Sequence, residues 1–332
     1  MKLRQLMAIS MDNYRKNGLI SHAIFFFLSL LAAAFLLLCL FYVDLFLIIV
    51  PLIAIPLFFA SQVIVVLFRE ESYLTFGGFF NCFKNYFTPK FASTFRVIKS
   101  AIWSFVVYLV FAIIYGITIN LSFYYTNYMG YADIFTEIAN TQIASTADIN
   151  EIYNLHKDFF NKIMIYMNVP SLFVSAISFI YLIGRNAIGL FDRLNNMGEP
   201  GELNKLAHNN ISNQYRKEIN GAFIKLNWPL FFLFTLGFAG GAVLGYYNLG
   251  SYNGVYTLGI ALAILISFGI YGPFFLANNE AIYLSFKDRY AEEKNKVKGQ
   301  LMNSIEEMMK KYQEQYPELN EDDEQKNDSD ES

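Results

Sequence analysis

Cysteine is scarce in this chain. Two occur in 332 residues, Cys39 and Cys82, so no disulfide framework is implied. Charge is scarce as well: Asp, Glu, Lys and Arg make up 16% of the residues, where a soluble domain carries about 25%. The three histidines, His22, His156 and His208, are scattered, and no two form a zinc-protease pair. The sequence also lacks a phosphate-cradling glycine loop, a nucleophile elbow and a clustered Cys/His set. No nucleophile and base stand at readable spacing. These absences argue against an enzyme, and no metal or cofactor is expected.

What the chain has instead is long apolar runs. Hydrophobic residues form 55% of it, with 34 Phe and 23 Tyr. Six segments stand out: Ile20–Tyr42, Leu45–Phe68, Ala101–Tyr124, Ile163–Leu190, Leu226–Tyr247 and Val255–Leu276. A hydrocarbon core about 30 Å thick needs about 20 apolar residues in a helix, and each segment is long enough. The expected fold is all-α and polytopic, with a six-helix membrane domain over residues 20–286. The first run is too long for a signal-peptide core, and no small-residue cleavage site precedes Asp44, so it is expected to be retained.

The loops fix an orientation, because basic residues stay on the cytoplasmic side. Residues 1–19 hold Lys2, Arg4, Arg15 and Lys16 against Asp12. The stretch of about 69–99 carries Arg69, Lys84, Lys90, Arg96 and Lys99 against Glu70 and Glu71. Arg185, Arg193, Lys205, Arg216, Lys217 and Lys225 mark the connection of about 192–225 as inside. The loop of about 125–162 has Asp133, Glu137, Asp148, Glu151 and Asp158 against Lys157 and Lys162, which fits the outer face. Both termini are therefore expected in the cytoplasm. The Asn, Lys, Ile and Phe usage points to a bacterial cytoplasmic membrane of a low-GC Gram-positive.

Within the spans, Gly237, Gly241 and Gly245 recur at four-residue spacing, a stripe that lets another helix approach closely. It fits packing within one subunit or a homodimer seam. Polar residues in the spans are the usual pointer to a solute path. Here they are few and mild: Gln62, Asn120, Ser175, Thr235, and Asn279 with Glu280 at the inner end of span six. No charge sits at a midplane, which disfavours a proton-coupled pump.

Between spans two and three, Phe76, Phe79, Phe80, Phe83 and Phe87 recur at three- and four-residue spacing with Lys84 and Lys90 nearby. An aromatic-faced helix of this kind lies at the headgroups or forms an elbow under the bundle. The stretch Phe68–Phe91, FREESYLTFGGFFNCFKNYFTPKF, following a paired hairpin and preceding a long third span, resembles the YesL-type integral membrane proteins of Gram-positive bacteria over about residues 10–125. The resemblance implies a helical membrane protein that accompanies carbohydrate uptake systems, and it transfers no functional residue. The extended outer loop and the acidic tail depart from that family's compact pattern.

Beyond span six, residues 287–316 should continue as an amphipathic cytoplasmic helix, with Leu301, Ile305, Met308 and Tyr312 on one face. Docking beneath the bundle and dimerisation are both open to it. The tail over residues 317–332 carries a net −7 from Glu318 onward, leaving +4 for the rest of the chain. It should be disordered, and it argues against nucleic-acid binding. The expected role is that of an accessory, scaffold or assembly factor in the bilayer, working with a membrane-protein partner or a second copy. The alternative is a small-solute permease.

Overall fold

The computed structural model describes residues 3–38, 77, 87–140, 146–195 and 201–315. Among them all regular structure is helical: α1 (Leu3–Leu37), α2 (Phe87–Thr126), α3 (Tyr131–Asn140), α4 (Thr146–Leu155), α5 (Lys157–Asn195), α6 (Gly201–Gln214), α7 (Arg216–Leu249) and α8 (Tyr252–Gln315). A single 3₁₀ turn, Tyr128–Gly130, follows α2. Five helices, α1, α2, α5, α7 and α8, are long and apolar enough to cross a membrane, which fits a multi-pass membrane protein. The second expected span, Leu45–Phe68, lies outside the described residues.

The breaks between helices have local causes. Gly250 adopts φ 58°, a left-handed conformation that glycine takes without steric cost, and its N–H caps the Tyr246 carbonyl at 3.0 Å. The Ser251 hydroxyl then accepts the Gly254 N–H at 3.2 Å and starts α8. At the opposite side of the sequence, α2 ends where Asn127 and Met129 both take positive φ. The Asn127 side chain accepts the Ala132 N–H at 2.9 Å and donates to Asp133 at 2.9 Å, which launches α3.

α8 is the central helix. Its apolar window is 56% buried, against 11% for α2 and for α5, whose outward faces are left for lipid. α7 packs antiparallel on α8 through the glycine stripe. A Cβ at Gly237 would stand 2.7 Å from Ala263 Cα, and Cβ atoms at Gly241 and Gly245 would run into the backbones at Leu258 and Gly254. The stripe is thus spent on packing within the subunit.

α1 also lies antiparallel to α8, with Ser10 against Asn278 and Phe25 against Gly272. α5 runs antiparallel to α7, its Phe173 touching Phe238 and its Tyr181 touching Phe223. α2 pairs with α5 through Tyr108 to Asn168 at 3.0 Å and Ser175 to the Ser104 carbonyl at 2.8 Å. Phe223, Leu230, Phe234, Tyr283 and Tyr290 fill the centre and are fully buried.

These pairings put α1, α2 and α7 in one direction and α5 and α8 in the other. One end of the bundle gathers Arg96, Lys99, Arg185, Arg216 and Arg289. The other carries α3 and α4 with Asp133 and Glu137, beside the exposed Tyr125 and Tyr247. The loop expected over about 125–162 is thus a small helical cap. It is tied to the bundle by Tyr131, whose hydroxyl donates to Asn120, and it is held internally by His156 with Glu137 at 3.6 Å.

α8 continues unbroken past the bundle. Tyr290, Lys294 and Val297 are still buried, the first of them against α6, but residues 298–312 are exposed. The expected extension therefore docks for its first three turns and is exposed from residue 298 to residue 312. Leu301, Ile305, Met308 and Tyr312 are 45–62% exposed. The acidic tail lies outside the described residues.

Candidate functional site

The residues expected to line a path do not converge. Gln62 lies outside the described residues. Thr235 is exposed and donates to the Phe231 carbonyl of its own helix at 2.8 Å. Ser175 is spent on the α2 backbone, as above, and Asn120 donates to its own Gly116 carbonyl at 2.7 Å while accepting from Tyr131. A hydroxyl or amide committed to a nearby carbonyl has little left for a passing solute. Of the aromatic elbow, Phe76, Phe79, Phe80 and Phe83 lie outside the described residues, and Phe87 opens α2.

Asn279 and Glu280 do meet other polar groups, though not at a water-exposed boundary. Glu280 is 2% exposed. The polar network on Asn278 and Asn279, next to it in sequence, is built on a proline. Pro229 has no N–H for the Lys225 carbonyl, and its ring disturbs that turn of α7. The next carbonyl, Leu226 O, accepts from Tyr271 Oη at 2.8 Å and from Asn278 Nδ2 at 3.1 Å. Asn278 also donates to Asn227 Oδ1 at 3.0 Å and accepts from Ser10 Oγ at 2.6 Å. Asn227 Nδ2 reaches Asn279 Oδ1 at 3.2 Å. This network joins three helices in a buried setting, where each bond spares a desolvated group. It reads as glue, not as a conduit. Ser10, Asn227 and Asn278 carry no signal in the sequence beyond being polar near apolar runs.

A cavity opens at the basic end of the bundle. It measures about 390 Å³ and lies between α2, α5, α6, the start of α7 and α8. Lys99, Arg185 and Arg216 line it, with Ser100, Asn186, Asn209, Ser212 and Asn213, and among the described residues no carboxylate does. Its walls are fixed before anything binds. Arg96 donates to the Asn186 carbonyl at 2.6 Å, and Asn186 Nδ2 donates to Ser100 Oγ at 3.2 Å, which locks α2 to α5. His208 stacks on Tyr290 with its Nδ1 3.1 Å from the hydroxyl, which locks α6 to α8. Burial, and then the charges of Arg96, Arg185 and Lys99, push the His208 pKa down to about 3, so its ring is neutral at physiological pH.

Sequence reading treated Lys99, Arg185 and Arg216 as orientation signals and His208 as an isolated histidine. Their separation along the chain hides the cavity they share. Among the described residues no group of His, Cys, Asp and Glu could hold a metal ion. No protein-family model matches this chain, and no curated protein or solved structure is significantly similar to it.

Proposed function

We propose that this chain is a non-enzymatic integral membrane protein that serves as an accessory or scaffold subunit of a membrane complex. The observation that carries the reading is the exposed end of α8. Residues 298–312 form a helix with an exposed stripe of Leu301, Ile305, Met308 and Tyr312. An amphipathic helix standing in water gains most of its stability by burying such a face on a partner. The partner this reading requires is another membrane protein that brings a matching helix to the same side.

The topology belongs to the same proposal: six spans in a bacterial cytoplasmic membrane, with both termini inside. Its support is twofold. α1 and α2 point the same way, which supports a further crossing between them. The end rich in arginine and lysine also matches the charge bias of cytoplasmic loops. Kinship with YesL-type proteins rests on the Phe68–Phe91 pattern between a paired hairpin and a long third span. The permease alternative has no lined path to support it among the described residues.

The test is purification of the full chain from its own membrane in mild detergent, beside a Leu301→Gln/Ile305→Gln/Met308→Gln variant. A stoichiometric membrane protein that travels with the wild type and is lost from the variant, at unchanged thermal midpoint, is the expected result. A wild-type protein that emerges alone and monomeric overturns the scaffold reading. Emergence as a dimer of this chain replaces the heterologous partner with a second copy.

A further inference from the structure

The basic cavity has no role in scaffolding, and its chemistry is specific enough to name a ligand class. We infer that it binds a phosphate-bearing anion, either the headgroup of an anionic phospholipid or a small soluble phosphate ester.

Four observations converge. First, Lys99, Arg185 and Arg216 face one cavity, and among the described residues none of them has a carboxylate partner. Like charges held together in the absence of a counter-ion repel one another, and a bound anion relieves that repulsion. Second, two acids of the neighbouring helices, Glu218 and Glu293, are engaged elsewhere. Glu218 reaches Arg289 at 3.8 Å, and Glu293 accepts from Asn210 at 2.8 Å and lies 3.8 Å from Lys296. Third, the remaining lining suits phosphate oxygens: Ser and Asn side chains donate hydrogen bonds, and guanidinium forks match phosphate geometry in a bidentate way. Fourth, the walls are already cross-braced by Arg96, Asn186 and Ser100 on one side and His208 and Tyr290 on the other. Binding therefore costs little ordering.

Size narrows the class. About 390 Å³ falls in the range of small-molecule sites, roughly 300–1,000 Å³, so the phosphate has room for an organic portion beside it. Trp103 completes the lining and is more than half exposed on α2. An indole at that height is a membrane-interface residue, so a lipid headgroup can reach the cavity from the side and a soluble ester from the water. A positive rim that only orients the chain in the membrane needs neither a cavity nor engaged neighbouring acids.

The experiment uses the full chain in mild detergent at fixed low salt, and in nanodiscs of phosphatidylcholine with or without phosphatidylglycerol. Glycerol 3-phosphate is titrated by calorimetry, with glycerol as the uncharged control. Retained phosphatidylglycerol is counted by native mass spectrometry. The variants are Arg185→Gln, Lys99→Gln and Arg185→Lys, with Lys205→Gln as a basic residue of α6 outside the cavity lining. Lys99 is exposed and makes no described bond, so its variant remains informative if Arg185→Gln unfolds.

Binding of glycerol 3-phosphate that weakens at least tenfold in Arg185→Gln and Lys99→Gln, partly returns in Arg185→Lys and survives Lys205→Gln assigns a soluble ester. The same pattern for retained phosphatidylglycerol assigns a lipid. The inference is overturned if neither probe distinguishes wild type from the cavity variants, or if Lys205→Gln weakens binding as much as they do. Neither outcome depends on whether the exposed end of α8 binds another protein.

Discussion

Ser10 and Asn278 lie 268 residues apart in the chain and 2.6 Å apart in the bundle. The bond ties the first helix to the last, and Asn278 carries the same network on to Asn227, Tyr271 and the Leu226 carbonyl beside the Pro229 turn. Asn278→Ala leaves several buried groups without partners and should cost about 1–3 kcal/mol. Ser10→Ala removes one bond of the network and should cost less, about 0.6 kcal/mol if it behaves as an average interhelical bond in a membrane. Thermal midpoints of both variants in the same detergent check the order, and equal midpoints contradict a network centred on Asn278.

The glycines of α7 divide into two kinds. Gly241 meets the α8 backbone, where nothing can move aside, whereas a Cβ at Gly240 would meet only Leu262 Cδ2 at 3.8 Å. Gly241→Ala should therefore separate the helices at a cost of about 1–3 kcal/mol or more, the penalty for overpacking. Gly240→Ala should be neutral or stabilising by up to about 1 kcal/mol through helix propensity. The bulkier Gly241→Ile should fail to give a folded monomer. Paired melting curves decide it.

His208 gives the bundle an acid-sensitive point. Its folded pKa of about 3 lies below the ordinary histidine value of 6.5, so the unfolded chain takes up the proton first. His208 therefore contributes no pH dependence above about pH 6.5. Between there and about pH 3 it destabilises the fold by at most about 1.4 kcal/mol per pH unit. Arg96, Arg185 and Lys99 add repulsion to the burial, and Tyr290 and Ser212 are the ring's neutral neighbours. His208→Gln should flatten the fall in thermal midpoint over that interval relative to wild type. An unchanged slope would falsify the assignment.

Amide exchange should change sharply along α8. Buried positions recur along residues 281–297, at 281–283, 286, 290, 294 and 297, whereas residues 298–312 are exposed throughout. Free-standing helices of this length are marginal in water. In the isolated protein the second stretch should exchange orders of magnitude faster than the first, and adding the partner complex should slow it. Uniform protection in the isolated protein would show that the stripe is already covered.

The orientation has its own check. Tyr125→Cys should react with a membrane-impermeant maleimide applied to intact cells, and Lys217→Cys should not, each in a background with Cys39 and Cys82 replaced by Ser. The reverse pattern inverts the topology.

Long-period features were legible in the sequence because they need no knowledge of neighbours. Five of the six apolar runs lie in helices long enough to cross a membrane, and the glycines at 237, 241 and 245 meet the backbone of α8. Convergence was not legible. Asn227 and Asn278 look like ordinary polar residues near span ends until Pro229 and the helix directions bring them together. Lys99, Arg185 and Arg216 are accounted for by the positive-inside bias, so nothing in their spacing separates an orientation signal from a shared cavity. Glu280 stands at the inner end of an apolar run in the sequence, and nothing in that run shows that it is buried.

The unbroken length of α8 has a mechanical consequence. At about 1.5 Å per residue, the stretch from Pro273 to Gln315 is a rod of about 60 Å. A swing of about 5° at that proline would carry the far tip through about 5 Å. Whatever alters the seating of α8 among its neighbours is thereby magnified on the aqueous side, and a load applied to the tip is felt at the asparagines in the middle of the bundle.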